Sequence, residues 1–383
     1  MTPFSPIPSR HPIRVVLSSP ALQRFISVRN AAALVIAQLG IAAFFVPGIM
    51  PVALGESAGW FVLAATGLAA LVRAIDLESW ALLMPGGLEA RAAAAFGARA
   101  AGIAAGAALV ERLLLGSLTC LIAGHYLVAV VTTSESRYAG LLRPEDLATV
   151  LAAVVMGVLW IHARMGRDLR RETLAEGVWI GVAILTAAIV WGLATIAHGT
   201  AVPLRAVVSA PRPMLDTGWW LLDLVVTCTL GLALTLPVIG GGDALARAAH
   251  EFPPPRVDAL RRTGVVTVTF ALIVTTLGTF LVTLLIPAAD QPLWINAPLA
   301  GLVQRLTGPW WARSLMSFAT AAAAVLVVVP AAYTALRDAE KMLHRASTDG
   351  TLPSGLASLH ARFGTPARAI DMTIVAMTIE NCG

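Results

Sequence analysis

The chain has 383 residues, of which 57% are hydrophobic and only 13% charged, with a mean hydropathy of +0.79. A folded soluble surface needs roughly twice that share of charge to be wetted, so a soluble enzyme, a nucleic-acid binder and a disordered scaffold are excluded. The net charge of +5 fits arginines collected in loops on one side of a bilayer better than an acidic macromolecular partner.

Residues 1–29 carry Arg10, Arg14, Arg24 and Arg29 and lack a long apolar core, so they read as a cytoplasmic N-terminal tail and not as a signal peptide. From residue 30 onward the chain reads as one transmembrane domain, 30–383. A bilayer core needs about 20 apolar residues per helical crossing. On that length, spans are expected at 30–54, 57–80, 100–132, 146–164, 173–197, 216–248, 264–286, 313–340 and 366–383. No barrel-type alternation is present, so the class is all-α integral membrane.

Orientation follows from counting basic residues. With the N-terminus inside, 19 of the 27 Lys and Arg residues fall in inner segments and six in outer ones, which predicts a multi-pass protein of the cell (inner) membrane with its N-terminus in the cytoplasm. The stretch 287–312, with Trp294, Pro309, Trp310 and Trp311, reads as short interfacial helices on the outer side.

Two spans are interrupted. The first contains Gly40, Pro47, Gly48 and Pro51, and the sixth contains Pro237 and the run Gly240, Gly241, Gly242. Breaks at membrane depth leave backbone groups without helical partners and are tolerated where they are buried or line a wet cavity. Small residues also simply permit close helix packing. Two breaks five spans apart match what an inverted repeat of five helices plus five requires, and they point to a transporter's binding site.

Charge inside spans is costly and marks candidate functional groups. Asp223 lies in the outer half of span 6, either as a coupling or cation-binding carboxylate or as a vestibule residue. Glu111 and Arg112 adjoin in span 3; neighbours on a helix point about 100° apart, so each is expected to find its partner elsewhere, with Asp223 or Asp76 available to Arg112. Arg73 and Asp76, three apart, share a helix face and are expected to pair near the inner gate. Asp243 either binds a cationic group or caps the helix that follows the span 6 break. His125 and His162 read more readily as interfacial hydrogen bonders than as proton relays.

Cys120, Cys228 and Cys382 form no CxxC pair or Cys/His cluster, so neither a disulfide framework nor a metal site is expected. No Ser-His-Asp order, P-loop or HExxH is present, and neither an enzyme nor a cofactor is expected.

Four stretches carry a resemblance: GGLEARAAAAFG at 86–97, GGGDALARAAHEFPPPR at 240–256, APLAGLVQRLTGP at 297–309, and DGTLP with RFGTPARAI at 349–353 and 362–370. In order and spacing they resemble the amino acid–polyamine–organocation (APC) permeases over nearly the whole chain from about residue 30. The resemblance implies a leucine-transporter-like inverted-repeat bundle with broken helices 1 and 6. With about nine helices the second repeat is incomplete, and the chain is expected to be a fragment that stops in the ninth.

Carried onto this sequence, the resemblance places a substrate at Gly40, Ile41, Ala42 and Ala43, where the family has a Gly-x-Gly turn. Gly40 is kept and Ala42 stands in place of the second glycine. It also places a substrate at Ile239, Gly240, Gly241 and Gly242, whose carbonyls would face a substrate ammonium. The expected function is secondary active transport of amino acids or related amines by alternating access, with a small-molecule substrate and the lipid bilayer as partners. The alternatives are a potassium-type cation permease and a non-transporting sensor or partner subunit.

Overall fold

The computed structural model describes residues 26–82, 88–133, 143–167, 169–198, 218–249, 251–252, 256–360 and 363–382. Within them every regular element is a helix, as a bilayer demands of a chain whose backbone groups must pair within their own segment. The expected N-terminal tail lies outside the described residues up to position 25.

The first helix, α1 (Val28–Gln38), starts where the Ser27 hydroxyl accepts a hydrogen bond from the Asn30 amide at 3.2 Å. A single residue, Leu39, separates it from α2 (Gly40–Leu54). Gly55 then adopts φ 60°, a left-handed conformation that glycine takes without strain, and a 3₁₀ turn over Gly55–Ser57 leads into α3 (Ala58–Leu82). Next come α4 (Leu88–Phe96), α5 (Ala98–Thr133), α6 (Pro144–Arg164) and α7 (Arg171–Ala197). Span 6 is α8 (Trp220–Ile239) followed by α9 (Gly242–Ala249). Span 7 is α10 (Arg256–Phe270), a π-helical stretch over Ala271–Thr276 and α11 (Leu277–Leu285). Short α12 (Pro298–Gln304), long α13 (Trp310–Thr348) and α14 (Ala367–Cys382) complete the order.

Seven helical runs among the described residues are long and apolar enough to cross a membrane, against nine expected spans. The first run, Val28–Glu78, contains both of the first two expected spans joined through the Gly55 turn. The ninth expected span is α14, whose 16 residues fall short of a crossing by length. A stripe of exposed Val150, Val154 and Val158 along α6 is the apolar face such a helix turns to lipid.

The helices sort by packing into two groups. In one, α5 lies against α6, α13 and α14, and α14 closes back on α6. In the other, α2 and α3 pack on α8, and both also pack on α11. Helix α7 bridges, touching α13 and α1. Small residues allow the closest approaches, as where Gly124 of α5 meets the Ala148 backbone of α6.

Candidate functional site

The break in span 6 is built by its own residues. Pro237 lacks an amide proton, Gly240 ends α8, and Gly241 takes φ 81°, so the Ile239 and Gly240 carbonyls leave the helical ladder. They emerge at the carbonyl end of α8, where the helix dipole concentrates negative charge.

Arg73 of α3 fills that end. Its side chain is buried, with 4% of its surface exposed. One terminal nitrogen, Nη2, donates to the Gly240 carbonyl and, at 3.5 Å, to that of Ile239. The junction of α1 and α2 lies alongside: a Cβ placed on Gly241 would sit 3.2 Å from Arg73 Nη2 and 3.4 Å from side-chain atoms of both Leu39 and Val35. One placed on Gly242 would sit 2.7 Å from Arg73 Nη1 and 3.1 Å from Asp76 Oδ2. Residues from α1, α3 and the two halves of span 6 thus converge on one point, and Arg73 is its ionic centre.

A family model described as amino acid permease matches residues 26–379. The chain belongs to the amino acid permease family. No curated protein matches it.

In the permease, the residues expected to bind substrate fall into two sets. Gly240, Gly241 and Gly242, with Ile239, surround the Arg73 guanidinium. Gly40, Ile41, Ala42 and Ala43 lie within α2, and Leu39 between α1 and α2 keeps helical bonding, its amide donating to the Val35 carbonyl and its carbonyl accepting from the Ala43 amide, each at 3.1 Å. A Cβ on Gly40 would lie 3.1 Å from Val328 and 3.3 Å from Val327 of α13. Ala42 is buried with Val62, Ala65 and Val238, while Ala43 joins the main core and Ile41 packs against it. Ala42 and Val238 sharing one cluster brings span 1 and span 6 together a second time.

The charged candidates are dispersed. Asp223 is buried in the first turn of α8, and 16 residues of helix put it about 24 Å along the axis from the break. Arg112 is 1% exposed, and its Nη2 lies 3.6 Å from Oε2 of the exposed Glu111. This corrects the expectation that these neighbours do not pair: their Cβ atoms diverge, and two long side chains bend back to meet. The Asp243 side chain lies outside the described residues. Among the described residues, no three His, Cys, Asp or Glu side chains converge as metal ligands would.

The structure adds polar contacts that reading the sequence missed. Tyr126 of α5, fully buried, donates from its hydroxyl to the Phe44 carbonyl of α2 at 3.3 Å and accepts from the Leu299 amide of α12 at 3.3 Å. The hydroxyls of Thr66 in α3 and Thr276 in the π-helical stretch meet at 2.9 Å. Their signal in the sequence was faint: one tyrosine in span 3, and a run of threonines at 263, 267, 269, 275, 276, 279 and 283 through span 7.

Proposed function

We propose that the permease is a secondary active transporter of amino acids or related amines, working by alternating access around span 1 near Leu39 and the break of span 6. The supporting observation is the junction itself. The carbonyl end of α8, capped by Arg73, lies against Leu39 and Val35 of span 1, so a buried guanidinium and backbone groups outside the helical ladder meet where a ligand can be served. On this reading the group containing α2, α3, α8 and α11 moves against the group containing α5, α6, α13 and α14. The contact of Gly40 with Val327 and Val328 lies between them. The arginine count supports a cytoplasmic N-terminus in the cell membrane. A bare metal cation fits the span 6 carbonyls poorly, because a guanidinium already holds them, and this disfavours the potassium-type alternative.

The experiment is uptake into proteoliposomes loaded with purified protein, using a radiolabelled amino-acid panel with and without a proton or sodium gradient. Saturable uptake of at least one amino acid or amine is expected. Ligand-induced thermal stabilisation without any flux would instead establish the sensor reading.

A further inference from the structure

We infer that Arg73 is a specificity-determining residue: a resident cation on the span 6 carbonyls that makes the site recognise a carboxylate and reject amines lacking one. This rests on the transport site proposed above and narrows its substrate class.

A guanidinium at membrane depth is expensive, and such a residue is retained where it has a partner and a task. The partners here are not a neighbouring carboxylate alone. Arg73 Nη2 is committed to two backbone acceptors, Gly240 O and Ile239 O, at the negative end of α8. A substrate ammonium needs such acceptors, because it offers only N–H donors. With Nη2 in place each oxygen already accepts one donor, and a second cation brought beside the guanidinium meets like-charge repulsion in a low-dielectric setting.

The other terminal nitrogen, Nη1, is buried and has no hydrogen-bond partner among the described residues. It lies where a Cβ on Gly242 would be 2.7 Å away, so only the absence of a side chain at 242 leaves it room. An unsatisfied buried donor is costly, and the group that satisfies a guanidinium best is a carboxylate. Asp76, whose Oδ2 lies at the same edge of Gly242, balances the charge of Arg73, so a ligand carboxylate is held chiefly by directed hydrogen bonds from Nη1. The arrangement reverses the polarity of recognition: the carbonyl end of the broken helix, expected to grip an ammonium, presents a donor in its place.

The test uses matched triads on the purified full chain in detergent, read by thermal-shift titration: L-alanine, ethylamine and propionate; L-leucine, isoamylamine and 4-methylpentanoate. For the wild type, removing the carboxylate is expected to weaken binding about tenfold or more, the size of one charge-assisted hydrogen bond, and removing the ammonium by less. In Arg73→Gln the acid-to-amine preference falls by about tenfold, and Arg73→Lys, which keeps the charge, retains most of it. Arg73→Gln combined with Asp76→Asn repeats the measurement without an uncompensated carboxylate, so a folding defect of the single variant does not obscure the result. Equal binding of amine and acid by the wild type, an unchanged ratio in both Gln variants, or no binding by any triad member overturns the inference. The ratio is read without flux. Failure of uptake with the ratio as expected therefore counts against the transport reading and leaves the assignment of Arg73 standing.

Discussion

Tyr126 and Phe44 meet edge to face, with ring centroids 5.0 Å apart and planes at 78°, and the same tyrosine hydroxyl holds the first turn of α12. One side chain of α5 thereby ties the long scaffold helix to span 1 and to the short helix seated over it. Tyr126→Phe keeps the ring contact and removes the hydroxyl, leaving the Leu299 amide without its acceptor. A loss of about 1 kcal/mol in unfolding free energy is expected. Chemical denaturation in detergent checks it, and an unchanged midpoint would show that the hydroxyl contributes nothing.

Gly241→Leu is expected to abolish uptake while membrane insertion is retained. The position combines a left-handed backbone with neighbours from three elements, and a leucine there meets Arg73, Leu39 and Val35 at once. Gly40→Leu, pressed against Val327 and Val328, is expected to do the same. Wild-type uptake in Gly241→Leu would remove the site assignment.

The hydroxyl pair of Thr66 and Thr276 joins α3 to the π-helical stretch. Double-mutant cycles on interhelical hydrogen bonds in membranes average about 0.6 kcal/mol. A cycle of Thr66→Val, Thr276→Val and the double variant should return a coupling of about that size. A coupling indistinguishable from zero would mean that each hydroxyl is satisfied by its own helix, as Thr66 already partly is through its bond to the Val62 carbonyl at 2.9 Å.

Asp371 of α14 accepts from Trp160 Nε1 at 2.8 Å and from Arg164 Nη1 at 2.9 Å. Arg164 and Asp371 are each about two-fifths exposed, so water and salt screen the pair, and Asp371→Asn should cost no more than about 1 kcal/mol. The wild type should lose stability relative to the variant as ionic strength rises. Equal salt dependence in both proteins would assign the contribution to the tryptophan hydrogen bond.

Hydropathy located the helices well where a span is continuous. The expected 146–164 and 173–197 became Pro144–Arg164 and Arg171–Ala197, within the usual uncertainty of a helix end. It served less well for span 1. Gly40, Pro47, Gly48 and Pro51 suggested a broad break, yet Pro47 and Pro51 are accommodated inside α2 and even Leu39, at the junction with α1, keeps its bonds to Val35 and Ala43 in the ladder. Composition marks where a helix is permitted to break; neighbouring helices decide whether it does.

Charge pairing was read locally and proved partly long-range. Asp76 was the visible partner of Arg73, three residues on, whereas the hydrogen-bond acceptors lie 166 and 167 residues away. Backbone carbonyls carry no letter in a sequence, so an arginine that binds them has no readable complement. Tyr126 escaped for the same reason, since both its partners are main-chain groups.

Helix α12 has its residues from Pro298 to Val303 buried, with the Gly48 backbone pressed against the preceding Ile295 and Pro298. Lifting it would hydrate a patch that is almost wholly apolar, and hydration of apolar surface raises heat capacity. An equilibrium between the seated and lifted positions of α12 would then be curved in temperature. Calorimetric titrations of a ligand that favours one position, run across a range of temperatures, would show an enthalpy whose slope reports how much of that patch changes solvent.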